Sequence, residues 1–283
     1  MPIVLIIAAA ASYGLVTPLV KLAVRHDISV DWITFTQYPL PLMAFLVMTV
    51  TRRKNRPRPL IPQPGLVLAV GAAGAATSIT YYRSLSLLAP GLAVVLLFQF
   101  AWMAPLLEWL LYKKQPQWPQ IAGILAIVVG TLLAIPLGHG KISPLGVVWG
   151  ASAGLFYALT LVWSSHFPQG ADPWPRALIS TAAALTIVSA IYLMGNIVAI
   201  SKEAWIWGAA VGIFSQGIPL WLLYRNAPLL GASLTAILAS AELPVAVAGS
   251  ALLVGEPIIG VQWLGIALMI GGIVEGSISK PST

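Results

Sequence analysis

The sequence has no cysteine and only three histidines. Disulfides, thiolate nucleophiles and cysteine-based metal sites are thereby excluded. His26, His139 and His166 lie at or near the connections between apolar runs and do not cluster. Charge is scarce too: charged residues make up 8% of the 283 residues, and only 8 are acidic. A soluble domain carries about 25% charged residues. A water-facing surface cannot be built from so little charge, which excludes a soluble enzyme, a nucleic-acid binder and a disordered chain. Neither a His-Glu-x-x-His pair nor a glycine-rich phosphate loop is present. No metal, no cofactor and no ATP-driven cycle are therefore expected.

What is abundant is apolar: 59% of residues are hydrophobic and the mean hydropathy is +0.90. A bilayer-spanning helix needs about 20 apolar residues. The runs predict an all-α integral membrane protein with ten spans at roughly 2–24, 32–51, 65–88, 91–112, 117–137, 144–166, 174–194, 203–226, 229–254 and 258–277. The 25 glycines and 22 prolines fit this class, because neighbouring helices satisfy freed backbone groups inside a bundle. The runs are continuous rather than alternating, which argues against a barrel. Ala8–Ser12 looks like a cleavage region, yet the first run lacks a basic start and stays apolar past Gly14 to Val24. It reads as a retained helix.

The net charge of +7 is unevenly placed. On the N-terminal side, called side A, lie Arg52, Arg53, Lys54, Arg56, Arg58, Lys113, Lys114, Arg176, Arg225 and Lys280. The opposite side B holds Lys21, Arg25, Arg83, Lys141 and Lys202. The positive-inside rule puts side A and both termini in the cytoplasm, with the chain multi-pass in the cytoplasmic (inner) membrane. The Arg52–Arg58 stretch reads as a topology signal, with an anionic-lipid patch as the alternative.

The chain also resembles itself. At an offset of 142, Tyr82-Arg83 matches Tyr224-Arg225, Leu87-Leu88 matches Leu229-Leu230, Gly123 matches Gly265 and Gly130 matches Gly272. At 140, Gly14-Leu15 matches Gly154-Leu155. This predicts two five-helix repeats, 1–140 and 141–283. An odd number of spans per repeat inverts the second copy, an arrangement of secondary transporters with a midplane site.

At this point the chain resembles the drug/metabolite transporter superfamily, EamA type. The resemblance rests on the repeated Tyr-Arg with downstream Leu-Leu, on Glu242-Leu243-Pro244 leading to Leu253-Val254-Gly255-Glu256-Pro257, and on Gly265 and Gly272. In the first repeat Lys113-Lys114 replaces the Gly-Glu turn. Tryptophan and tyrosine at mid-span positions resemble the aromatic amino-acid exporters of the superfamily. The resemblance implies export of small metabolites through a cavity built from the third, fourth, sixth, eighth and ninth helices.

Candidate substrate-binding residues follow from residue type and depth. Trp102 and Trp163 sit inside spans, where an indole either faces lipid or lines a cavity. Trp32, Trp118, Trp174, Trp205 and Trp263 lie near span ends and read as an aromatic belt. Tyr81 and Tyr82 are about 100° apart on one helix, so one of them, Tyr82, is preferred for a cavity, with Ser78 one turn before it. Gln99 and Gln216 are either interhelical glue or site. Glu242 is an intramembrane carboxylate, costly to bury as a charge and so a functional candidate for a proton or an ammonium group. Its alternative is a neutral acid bonded to a carbonyl freed by Pro244. Glu108 is expected to snorkel or to pair with Lys113 or Tyr112. Arg83 and Arg225 recur on opposite sides and are candidate gates. Glycines at four-residue spacing, Gly146/Gly150/Gly154, Gly208/Gly212 and Gly272/Gly276, predict close helix packing within the monomer or in a homodimer. Pro39, Pro41, Pro105, Pro219 and Pro244 are expected to bend their helices.

The reading that results is a secondary transporter, not an enzyme, exporting small metabolites by alternating access. Its substrate is an amino acid, aromatic ones included, or a similar metabolite. The lipid bilayer is its environment. The alternative is a membrane-embedded enzyme acting on a lipid or small molecule.

Overall fold

The computed structural model describes residues 1–53, 63–134, 142–193, 200–255 and 257–278. Lys54, Arg56, Arg58, His139, Lys141, Glu256 and Lys280 lie outside them.

Among the described residues the regular structure is entirely helical. The first pass is α1 (Pro2–Gly14) and α2 (Val16–Arg25); the second is α3 (Val30–Thr36) and α4 (Pro39–Arg53). The third is α5 (Pro64–Leu87), and the fourth is α6 (Pro90–Leu97) with α7 (Phe100–Tyr112). The fifth is α8 (Trp118–Ala134), the sixth α9 (Pro144–Ser165) and the seventh α10 (Pro173–Leu193). In the eighth, α11 (Lys202–Gly212) runs through a π-helical turn (Ile213–Gly217) into α12 (Ile218–Leu230). The ninth is α13 (Ala232–Ala239) and α14 (Glu242–Val254), and the tenth is α15 (Gly260–Ser277). Nine described passes are long and apolar enough to cross a bilayer, and Trp118–Ala134 is a shorter apolar helix.

The breaks have a chemical cause. Proline lacks an N–H and leaves the carbonyl four residues earlier unpaired. Pro18, Pro41, Pro219 and Pro244 free the carbonyls of Gly14, Gln37, Ser215 and Ser240, and each of these lies at a break or turn. Serine side chains mark several starts: Ser29 accepts from Asp31 N–H, Ser143 from Gly146 N–H and Ser201 from Ala204 N–H, at 3.2, 3.3 and 3.1 Å.

Element boundaries repeat at the same offset of 142 residues. Pro2 corresponds to Pro144, Pro90–Leu97 to Ala232–Ala239, Phe100–Tyr112 to Glu242–Val254, and Trp118 to Gly260. The residues that end α7 and α14 also correspond: Lys113 (φ 59°) and Gly255 (φ 78°) both take the left-handed conformation. Lysine adopts there, at a cost of roughly 1–2 kcal/mol, a backbone shape that glycine adopts freely.

The glycine stripes pack inside the chain. A Cβ at Gly150 would lie 2.7 Å from Leu96 Cδ1, and one at Gly154 would lie 2.8 Å from the Leu96 carbonyl oxygen. Gly208 and Gly212 back directly onto Thr36 and Gln37 of the second pass. The seam between α8 and α15 is reciprocal. Gly123 abuts Gly272, and Gly130 abuts Gly265, each meeting the other's carbonyl oxygen. Contacts that climb one helix while descending the other mean that α8 and α15 run antiparallel.

Glu108 does not snorkel. It is 2% exposed, and its carboxylate accepts from the Ala232 and Ser233 backbone and from the Ser233 hydroxyl. The free N–H groups that begin a helix are a ready partner for an anion, and here they outcompete Lys113 and Tyr112.

Candidate functional site

A cavity of about 90 Å³ lies between the halves. Tyr13 comes from the first pass, Gly71, Gly74, Thr77 and Ser78 from the third, Tyr157 and Thr160 from the sixth, Ser180 and Ala184 from the seventh, and Gln216, Leu220 and Tyr224 from the eighth. Most of these residues sit near the middle of their passes, so the cavity is at mid-depth. Its wall alternates small residues with phenols and hydroxyls, and it contains no charged side chain among the described residues.

Several local features aim these groups. The π-helical turn is one residue wider than an α-turn, a device that re-aims side chains at functional sites. It carries Gln216 into the wall. The widened turn is held from outside: Ser12 Oγ donates to the Phe214 carbonyl and Ser215 Oγ donates to Gln37 Oε1, both at 2.9 Å. Tyr224 donates to Ser180 Oγ at 3.0 Å, closing one corner. Tyr157 is held edge-on by Phe100 at 4.6 Å and by Tyr13 at 6.2 Å between ring centroids.

Of the sequence candidates, Ser78 and Gln216 line this cavity. Ser78 also shares a hydrogen bond with Tyr38, at 3.3 Å. Tyr82 does not line this cavity, and its ring is 5.8 Å from that of Tyr81. Tyr81 packs on the main core, and its phenol interacts electrostatically with Glu242. Glu242 does not line this cavity; it is half-buried and interacts electrostatically with Tyr157 and Tyr13, which do line it. Gln99 and Trp102 are turned toward each other at the break in the fourth pass: indole Nε1–H donates to Gln99 Oε1 at 2.8 Å, while Gln99 Nε2 donates to the Val95 carbonyl. Trp102 is 39% exposed, and Trp163 packs half-buried on the core. Neither tryptophan lines the cavity. The wall thus draws on the first, third, sixth, seventh and eighth passes, where the resemblance implied the fourth and ninth in place of the first and seventh.

Tyr13, Tyr157, Thr77, Thr160 and Ser180 are wall residues that the sequence reading did not single out. Their one signal is depth, since each is a polar side chain near the middle of an apolar run.

Arg225 lies toward side A, its guanidinium 5.2 Å from the Trp221 ring centroid. Trp221 packs on Trp174 at 5.3 Å, and Arg52 lies 5.4 Å over Trp174. Trp174 therefore belongs to a four-residue ladder and not to a lipid-facing belt. Arg83 lies toward side B, near Tyr192. At its sequence-equivalent positions the side-B mouth has Trp32 for Trp174 and Ile79 for Trp221.

Comparison with known proteins follows the same lines. A solved crystal structure shares the fold, with a TM-score of 0.77 over 96% of this chain and 97% of that chain, at 16% identity. Uncharacterized transporter sll1319 of Synechocystis sp. is 28% identical over 215 residues, which is 71% of this chain. The match spans 64% of that relative's length. The EamA-like transporter family is matched twice, over residues 1–135 and 144–275, and the chain belongs to that family.

Proposed function

We propose that the chain is a secondary transporter that exports small organic solutes, amino acids with aromatic side chains among them, by alternating access between two inverted five-helix repeats. One observation carries the reading: a mid-depth cavity walled from both halves, with phenols, hydroxyls and one amide but no charge. Tyr13, Tyr157 and Tyr224 offer ring faces and edges to an aromatic side chain, while Ser78, Thr77 and Gln216 offer hydrogen bonds to a polar head. The constant offset of element boundaries, the reciprocal glycine seam and the doubled family match support the duplication. Two similar halves of opposite orientation can exchange conformations, which gives access first from one side and then from the other.

A drug-sized pocket occupies roughly 300–1,000 Å³. The cavity is far smaller, so this reading takes the structure as a contracted state that widens to admit solute. Arg83 and Arg225 stand at opposite mouths as gates. The basic bias of side A supports cytoplasmic termini and a place in the cytoplasmic membrane. The test is counterflow of labelled L-phenylalanine in proteoliposomes. Saturable exchange supports the carrier. Turnover of a lipid with no flux would replace it with the membrane-embedded enzyme.

A further inference from the structure

The half-helices α6 and α13 hold the same place in the repeat, yet their starts differ chemically. At the offset of 142, Pro90 stands for Ala232, Gly91 for Ser233 and Ser250 for Glu108. Glu108 grips the start of α13 through the Ala232 N–H, the Ser233 N–H and the Ser233 hydroxyl, at 3.0, 2.9 and 2.8 Å. In the other half proline has no N–H to offer, glycine has no hydroxyl and serine carries no charge. Of the groups that make the grip, only the Ser233 N–H has a counterpart, at Gly91. The same grip cannot form between α14 and α6.

The grip also joins the two halves. Glu108 stands near the side-A end of α7, in the first half, and Ala232 and Ser233 open α13 at side A, in the second. Packing differs between the mouths in the same sense. Every residue of α13 is buried, and the helix packs closely on α1, α7, α8, α9, α12 and α15. In α6 the residues Ala93, Val95 and Leu97 are buried, whereas Gly91, Leu92, Val94 and Leu96 are half-buried; this helix packs closely on α5 and α9. Two elements at one repeat position are buried alike when both mouths are in the same state. The side-A mouth is therefore the tighter one in this structure.

A carboxylate held by the free N–H groups of a helix start makes charge-assisted hydrogen bonds. It loses all of them when that helix start moves away. We infer that Glu108 is a latch on the side-A mouth: its grip on Ala232 and Ser233 holds that mouth shut and is released when side A opens. Side B has no counterpart, so the empty protein rests with side A closed. The inference takes from the carrier reading that the two mouths open in turn. A latch on one mouth tilts the equilibrium between the two states. Weakening it raises the side-A-open population and lowers the side-B-open one, whereas a general loss of stability loosens both mouths.

The test uses the full chain with Gly74→Cys as its single thiol, at a cavity position where an added Cβ meets nothing within 4 Å. Labelling by an impermeant maleimide is measured from each side of sealed vesicles. Counterflow of L-phenylalanine is measured in the same latch variants without the thiol. Before any latch change, labelling is expected to be faster from the Arg83 side. Glu108→Gln is expected to raise labelling from the Arg225 side several-fold and to leave labelling from the Arg83 side no faster. Ser233→Ala, which keeps the carboxylate and both N–H groups, is expected to act in the same direction by less. Gly272→Val crowds Gly123, Ala126 and Ile127 instead of the latch, and is expected to give no one-sided rise. Equal labelling from the two sides at the outset overturns the inference. So does unchanged labelling from the Arg225 side in both latch variants, an equal rise from both sides, or a one-sided rise in Gly272→Val. L-Phenylalanine exchange with unchanged labelling leaves the carrier standing without the latch. A one-sided rise in variants that exchange no solute leaves the latch standing and overturns the carrier reading instead.

Discussion

Glu108 Oε2 accepts two hydrogen bonds from Ser233, from its backbone N–H at 2.9 Å and its hydroxyl at 2.8 Å, while Oε1 accepts from Ala232 N–H at 3.0 Å. A carboxylate of the fourth pass thus caps the half-helix that opens the ninth. Removing it strands two N–H groups in a buried place. Hydrogen bonds to a charged group contribute about 1.5–3 kcal/mol each, and losses within one network are not additive. Glu108→Ala is expected to lower stability in detergent by about 3 kcal/mol, and Glu108→Gln by less, because one acceptor oxygen remains. Thermal unfolding of the purified variants checks this; equal midpoints for Glu108→Ala and wild type would refute the capping role.

The α8–α15 seam gives a paired prediction. Gly272 sits on the Gly123 carbonyl, where an added Cβ would come within 2.6 Å of the oxygen, while Gly271, its neighbour, has open space at that position. Overpacking a tight contact costs about 1–3 kcal/mol, whereas an open surface site changes stability by about 0.5 kcal/mol or less. Gly272→Val is therefore expected to destabilise the protein and Gly271→Val to leave it nearly unchanged. Matching losses in both would mean that the antiparallel seam is not a close contact.

Gly74 faces the cavity, and a Cβ there meets nothing within 4 Å. A large side chain at this position would fill the space without a clash at its root. Gly74→Phe is expected to retain the wild-type unfolding midpoint while saturable exchange falls at least ~10-fold, equivalent to about 1.4 kcal/mol of lost solute binding. Normal exchange in this variant would move the solute path away from the cavity.

The sequence made the passes and their period legible because hydropathy, proline and glycine act locally. Pro219 and Pro244 announce their breaks through the carbonyls they strand. The break at Phe98-Gln99 is not announced, since Trp102 stands where Pro244 stands in the other half. Glu108 was read as a helix-end acid because its true partners are backbone N–H groups 124 and 125 residues away, and a backbone group leaves no mark in a sequence. The cavity was half legible for a similar reason. Ser78 and Gln216 carry polar atoms that attract notice, but Gly74 leaves space by having no side chain, and Gly71 by the same lack lets the Ser180 backbone approach. Trp102 drew attention through its size, yet its indole N–H is taken up by Gln99 three residues before it.

The ladder Arg52–Trp174–Trp221–Arg225 ties α4 of the first half to α10 and α12 of the second, on side A alone. On side B the position equivalent to Trp221 is Ile79, so the matching ladder lacks its middle rung. An aromatic pair adds about 0.5–1.5 kcal/mol beyond burial, and a guanidinium over an exposed indole adds about 0.5–1 kcal/mol. Replacing Trp221 with the side-B residue should remove about 1 kcal/mol from the side-A closure, which corresponds to a roughly fivefold rise in the side-A-open population. The absence of native cysteine makes this measurable. With Ser180→Cys in the cavity wall as the single thiol, Trp221→Ile is expected to raise its labelling by an impermeant maleimide several-fold from the Arg225 side and to leave labelling from the Arg83 side no faster. An equal rise from both sides would mean that the ladder holds the bundle together generally and does not close one mouth.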